Sequence, residues 1–192
     1  MRSVRPRRSR LRVPGVQELA HRLDRAERRI AALEAESACR WVMTEYMRLC
    51  DRLDASTPMD ELADLFTEDA VWEGRGSRYG SAFGRHEGRH AIVAFLGGYR
   101  GPPAHFALNV HYLASETIHA ADARLAHGSW TMLQVSTLAG GESQLRSARI
   151  EAEFRLDFGR WRIAHFSTAN LFSQRREHPW DDDAAAAEPD RH

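Results

Sequence analysis

One stretch near the C-terminus restricts the possible folds more than any other. From Ala148 to Phe158, apolar Ala148, Ile150, Ala152, Phe154, Leu156 and Phe158 alternate with charged Arg149, Glu151, Glu153, Arg155 and Asp157. A period of two puts one set on each face of an extended strand. Such a strand needs neighbours beside it and apolar cover on one face only. Strand character extends over 105–111, 113–119, 125–138, 144–158 and 161–171, with turn signals at Ala139-Gly140-Gly141 and Gly159.

The cover has to come from the first half of the chain, where the pattern is helical. Val42, Tyr46, Leu49, Cys50 and Leu53 recur at helical spacing and predict a helix over 37–54. Ala55-Ser56-Thr57-Pro58 breaks it, and Pro58 suits the first turn of a short helix over 59–66. Strand character begins at Ala70-Val71-Trp72. Residues 74–88 read as a Gly-rich loop whose spacing does not match a phosphate cradle. Residues 88–96 read as a helix closed by Gly97-Gly98. Further upstream, Val16, Leu19, Leu23, Ala26, Ile30 and Leu33 form an a/d seam with charges between them. The expected organisation is a disordered basic tail (1–14), an amphipathic helix (15–35), one domain (36–173) and a flexible tail (174–192). Helices first and strands after make an α+β chain. The expected fold is a curved antiparallel β-sheet with N-terminal helices packed over its concave face, a cone-shaped barrel, plus an extra N-terminal helix. A mostly apolar pocket is expected between the layers.

Composition narrows the function. The 192 residues carry 27 basic and 27 acidic side chains, so nothing draws the chain as a whole toward nucleic acid or a membrane. There is no lysine, which reads as coding bias rather than physics. Cys39 and Cys50 lie about 16 Å apart along one predicted helix, too far for a disulfide. Reduced thiols suit a cytoplasmic protein. No apolar run approaches a membrane span, and the Arg-rich start lacks a secretory apolar core.

Five segments together carry a family resemblance. They are Tyr46-Met47-Arg48-Leu49-Cys50-Asp51-Arg52-Leu53-Asp54, Leu65-Phe66-Thr67-Glu68-Asp69-Ala70-Val71-Trp72, Phe83-Gly84-Arg85, His105-Phe106 with Asn109, and Gly159-Arg160-Trp161-Arg162-Ile163. In order and spacing, residues 36–172 resemble the SnoaL-like branch of the nuclear transport factor 2-like cone fold. That branch includes dehydratases similar to scytalone dehydratase and bile-acid 7α-dehydratase, and a hexachlorocyclohexane dehydrochlorinase. In these a helix carboxylate pairs with a strand histidine that acts as base. The resemblance places Asp51 and His105 at those positions. Tyr46 matches a pocket tyrosine, and His127 is similar in placement to a second histidine. An arginine of the dehydrochlorinase is replaced near Leu156, which argues against dehalogenation. The fold also hosts isomerases, cyclases, dioxygenase β subunits and non-catalytic proteins, so fold alone does not decide the reaction.

The residues support proton-transfer chemistry. A histidine held by a carboxylate can abstract a proton near neutral pH, and a phenol can stabilise an enolate oxygen. The expected catalytic set is His105 as base, Asp51 as its orienting carboxylate, Tyr46 as oxyanion donor and His127 assisting departure of a hydroxyl. Helical-wheel geometry favours Asp54 as the companion of Tyr46, whereas the resemblance favours Asp51. Asn109, Arg146, Asp54 and Trp72 are expected to bind substrate, with Arg146 meeting an anionic group. His86 and His90 have helical metal-ligand spacing, but Gly88 lies between them and no third ligand is evident, so neither metal nor cofactor is expected. The reading is a metal-independent dehydratase, or an isomerase or cyclase, acting on a bulky apolar polyketide-, steroid- or terpenoid-like substrate. A homo-oligomer, trimer or dimer, is expected through the N-terminal helix. The alternatives are a non-catalytic ligand-binding or assembly protein and a dioxygenase β-type subunit.

Overall fold

A computed structural model describes residues 15–180 of the chain. The basic tail expected over 1–14, and the part of the C-terminal tail after 180, lie outside the described residues. The elements run α1 (Val16–Arg52), α2 (Met59–Asp64), β1 (Phe66–Arg75), α3 (Gly76–Phe83), β2 (Arg85–Glu87), α4 (Arg89–Gly97), β3 (Phe106–Ala120), β4 (Leu125–Leu138), β5 (Ser143–Asp157) and β6 (Arg160–Arg176). The fold is α+β, with helices packed on a six-stranded, curved, unclosed sheet of order β2-β1-β6-β5-β4-β3.

The sheet is mixed. β3, β4, β5 and β6 form an antiparallel meander, whereas β1 joins β6 in parallel and carries β2 antiparallel on its other side. β1, from the helical half of the chain, thus lies beside the last strand, with the whole meander between the two in sequence. The register shifts at Ala114/Thr117 and Ser147/Ala148. Extra residues of this kind bend a strand and increase its twist. The break expected between 111 and 113 is absent, and one long β3 absorbs its irregularity at Ser115, whose φ is 50°.

The expected alternation in β5 holds through Phe154. Ala148, Ile150, Ala152 and Phe154 are buried, small residues alternating with large ones. Past the register shift at Glu153/Phe154 the pattern ends, and Phe158 turns outward with φ 46° in the turn before Gly159. α1 buries Cys39, Val42, Met43, Tyr46, Leu49 and Cys50 against this face.

Other boundaries move for packing reasons. The two helices expected at 15–35 and 37–54 are one continuous helix, because Glu34 to Ser37 contains no breaker. It stops at Leu53, where Asp54 Oδ1 accepts hydrogen bonds from Ser56 N at 2.7 Å and Ser56 Oγ at 2.6 Å. The stretch expected as a loop over 74–88 contains α3 and β2. α3 forms there because Tyr79 and Phe83 pack with each other, and Phe83 meets Trp72 edge-on. Gly74 permits this approach, since a Cβ there would collide with the Tyr79 carbonyl. The first residues of the tail expected over 174–192 are tied down: β6 runs to Arg176, and Trp180 Nε1 donates to Ser136 O at 3.1 Å.

Candidate active site

The C-terminal half of α1, with α3 and α4, roofs the concave face of the sheet and leaves a cavity of about 130 Å³. That is about ten times the ~10–15 Å³ needed to seat one water. Its apolar walls include Met47, Phe83, Phe95, Leu96, Met132 and Phe166. The polar groups lie along its floor, and strand register explains their alignment. His111 on β3 faces Gln134 on β4, which faces Arg146 on β5. Directly opposed residues point to the same side of a sheet, with Cβ atoms about 4.5–5.5 Å apart. The three form a row across the floor.

Asp51 stands in the last turn of α1 and reaches the first residue of that row. Its Oδ1 accepts a hydrogen bond from His111 Nδ1 at 2.6 Å and another from His111 N at 2.9 Å. A carboxylate only accepts, so Nδ1 carries the proton that faces Asp51, and whenever the ring is neutral Nε2 keeps its lone pair. The second bond ties the carboxylate to the strand itself, so ring and carboxylate move together. An acid in the last turn of a helix is unfavourable to the helix dipole, and these two donors offset that cost.

Tyr46 lies one and a half turns upstream on α1 and is 3% exposed. Its hydroxyl accepts from Trp72 Nε1 at 2.8 Å. Burial, with the neighbouring Cys50 thiol adding to it, pushes the phenol pKa well above its usual value. The hydroxyl therefore remains a neutral donor. Phe66 and Phe166 contact its ring edge-on. Asn109 fixes the roof to the floor: its Nδ2 donates to Cys50 O at 3.0 Å, and its Oδ1 accepts from Gln134 Nε2 at 2.8 Å. Burial raises the Cys50 thiol to about 12, so it is not a thiolate nucleophile near neutral pH.

Arg146 ends the polar row. It lines the cavity half-buried and makes no hydrogen bond or ion pair among the described residues. Burial lowers its pKa from the usual guanidinium value. An uncompensated cation in an apolar cavity is costly and attracts an anion.

Several expected placements change. Asp51 partners His111 rather than His105. His105 precedes β3, is exposed at the cavity mouth, and packs edge-on against Tyr99. It opens the strand from a loop, whereas His111 lies within the strand on the same face as Asn109. His127 is on the opposite, convex face: it pairs with His119 and Glu153, and its own neighbours Ala126 and Gly128 are the ones turned inward. Asp54 leaves the cavity for the turn that ends α1, where Ser56 holds its carboxyl below the usual carboxylate range. Tyr46, Trp72, Asn109 and Arg146 all line the cavity.

His111 and Gln134 were missed by sequence reasoning. Strand parity with Asn109 was the available signal for His111. Gln134 shares parity with Trp130 and Met132 on β4, which signalled its face, but that it stands between His111 and Arg146 depends on strand register. Among the described residues no group of three or more His, Cys, Asp or Glu is placed to hold a metal ion. His86 instead stacks on Phe95 with its Nε2 2.8 Å from Phe83 O. No described helix is long and apolar enough to cross a membrane.

Comparisons place this geometry among known folds. A hexachlorocyclohexane dehydrochlorinase, LinA-type3 from Novosphingobium barchaimii LL02, is 16% identical over 75% of this chain and 91% of that one, with a TM-score of 0.62. A candidate scytalone dehydratase from Novosphingobium aromaticivorans DSM 12444 is 17% identical over 78% of this chain and 95% of that one, also with a TM-score of 0.62. An NTF2-like protein with a cystatin-like fold, from Novosphingobium aromaticivorans, is 22% identical over 90% of this chain and 94% of that one, with a TM-score of 0.58. At these identities the likeness is one of fold. No curated protein sequence matches significantly. The match of the SnoaL-like domain family spans residues 31–167, and the chain belongs to that family.

Proposed function

We propose that this protein is a metal-independent lyase, most simply a dehydratase, acting on a bulky and largely apolar carbonyl compound of polyketide, steroid or terpenoid type, whose reacting end enters the cavity while the remainder extends through the mouth. The observation that carries the reading is the Asp51–His111 pair, 2.6 Å apart at the edge of an apolar cavity. His111 Nε2 takes the proton from the carbon next to the substrate carbonyl, and Asp51 stabilises the imidazolium that forms. Tyr46, held by Trp72, donates a hydrogen bond to the carbonyl oxygen as it gains charge. The electron pair then forms the C=C bond and expels the β-hydroxyl. The imidazolium returns its proton to that oxygen, so water leaves and the base is restored. An isomerase or cyclase would use the same deprotonation with a different fate for the enolate.

Arg146 and Asn109 take substrate-binding roles, Arg146 toward an anionic or oxyanionic group. His105 contacts the part of the substrate that reaches the mouth. The dehydratase and dehydrochlorinase names of similarly folded proteins favour eliminations as a class. A cytoplasmic homo-oligomer, dimer or trimer, assembled through the N-terminal helix completes the proposal.

The test is to incubate the protein with a panel of polycyclic β-hydroxyketones in D2O and follow α-proton exchange and enone formation by NMR and absorbance. Turnover in the parent, lost at least a thousand-fold in His111→Ala and kept in His127→Ala, is the expected result. Full activity of His111→Ala would remove that residue from the chemistry. Binding with neither exchange nor elimination would identify a ligand carrier instead.

A further inference from the structure

The first half of α1 carries an apolar stripe that its own domain does not touch. Val16, Leu19, Leu23, Ile30 and Leu33 are exposed, Leu23 at 60% and Ile30 at 54%. At about 100° per residue, the seam from Val16 to Leu33 and the buried stripe from Ala35 to Cys50 lie about 175° apart around the helix. One continuous helix therefore presents two apolar faces in opposite directions. The downstream face is covered by the sheet. The upstream face cannot turn toward the same sheet without breaking the helix, and Trp41, 59% exposed, continues it on the seam side.

Charge decides what covers it. With Val16, Leu23 and Ile30 at a positions and Leu19, Ala26 and Leu33 at d, the flanking g positions are Arg22 and Arg29 and the flanking e positions include Glu27 and Glu34. In a parallel pair, g of one helix meets the following e of the other. Arg22 then faces the second copy's Glu27, and Arg29 its Glu34, on both sides of the seam. In an antiparallel pair g meets g and e meets e, which sets Arg against Arg and Glu against Glu. Arg22, Arg29, Glu27 and Glu34 form no ion pair among the described residues, whereas Asp24 and Arg28, on the outer face, already pair along the helix. β-Branched residues at two of the three a positions, with Leu at two of the three d positions, favour two strands over three.

We propose that α1 docks onto α1 of a second copy of this chain as a parallel, two-stranded coiled coil. The two domains project outward from it, since each packs on the face opposite the seam. The coil is short, about 27 Å from Val16 to Leu33, so dimerisation depends on protein concentration. Each domain anchors the C-terminal end of its own coil helix, which supplies the nucleus that an isolated peptide of this length lacks.

The experiment uses the full chain and sedimentation equilibrium across a wide dilution range, with thermal melts of the domain as a folding control. The parent should be a dimer that dissociates on dilution, and Ile30→Asp should be monomeric with the domain melt retained. Two charge variants test the pairing itself. R22E/R29E and E27R/E34R should each weaken self-association roughly a hundred-fold, and mixing them should restore a one-to-one dimer. Leu19→Cys should cross-link efficiently on oxidation, because only a parallel pairing brings the two copies of that residue together; Cys39 and Cys50 are buried and do not compete. A monomer at every concentration, a dimer indifferent to Ile30→Asp, a three-fold mass, a mixture that stays unpaired, or Leu19→Cys that fails to cross-link while the dimer persists would each overturn the proposal.

Discussion

Asp51 accepts both the ring proton and the main-chain proton of His111 through a single oxygen, Oδ1, at 2.6 Å and 2.9 Å. One contact therefore orients the imidazole and also joins the end of α1 to β3. Chemistry and architecture depend on the same carboxylate. Asp51→Asn should accordingly be felt in both. Nitrogen-15 NMR of the parent should show His111 protonated at Nδ1, with a downfield-shifted proton. In Asp51→Asn that signal should vanish, and stability should fall by about 1–3 kcal/mol in urea melts. A ring protonated at Nε2 in the parent would remove the proposed base.

Tyr46 and Trp72 form a second buried pair whose hydrogen bond lies in the cavity wall. Tyr46→Phe keeps the ring and its edge contacts but leaves the indole N–H with no acceptor. The expected loss is about 1–3 kcal/mol, since a buried donor is left unsatisfied. Trp72→Phe removes the donor instead and should cost less through hydrogen bonding, although it loses ring area. A double-mutant cycle of Tyr46→Phe and Trp72→Phe, read by denaturant midpoint, separates the hydrogen bond from packing; a coupling energy near zero would contradict the assignment.

Arg146 is held in the cavity without a counter-charge, and burial lowers its pKa. Replacing it with Met removes the cost of burying an unpaired cation. The melting temperature of Arg146→Met should rise, by the equivalent of about 1 kcal/mol or more. Affinity for carboxylate-bearing apolar ligands should fall at least ten-fold by calorimetry, while neutral analogues of the same shape bind as before. A lowered melting temperature would show that the side chain is paired in solution.

Glu73 predicts an acid limb. Burial raises its pKa, but hydrogen bonds from Arg75, Arg85 and His165 outweigh that, and the net shift is downward. A carboxylate with a depressed folded pKa stabilises the fold above its unfolded value of about 4.3, and this stabilisation is lost as pH falls through the folded value. Arg75 and Arg85 are half exposed, so solvent screens the interaction, and Glu73→Gln should lose about 0.5–1 kcal/mol at pH 7 and less at pH 3, so the two proteins converge in acid. A constant difference across that range would assign the effect to packing.

The α+β class, the sheet built of long one-sided strands, and the amphipathic helices were legible because they rest on local periodicity. Residues two apart in β5 and three or four apart in α1 disclose which face is buried without reference to any other element. The same reasoning marked Tyr46, Asn109 and Arg146 as inward-facing, and the structure puts all three on the cavity. It failed where an element changed rule along its length. His105 lines the cavity mouth from the loop before β3, exposed and out of reach of Asp51, and Phe158 falls in a turn after a register shift. His127 was assigned from the resemblance against its own parity, and parity prevailed.

The partner of Asp51 was settled by tertiary structure alone. Wheel geometry and resemblance can place a carboxylate near the end of α1, but which histidine it meets depends on how far β3 slides past that end, a distance of six residues between His105 and His111. That slide is set by packing: Asn109 bonding to Cys50 O and to Gln134, and the bulge at Ala114/Thr117. By itself the sequence determined which faces were apolar, including the seam of α1 that turns away from its own domain. Only the folded chain decided which polar groups share the hollow, because burial follows from neighbours along the chain whereas Asp51 and His111 stand 60 positions apart and meet only once the elements between them have taken their places.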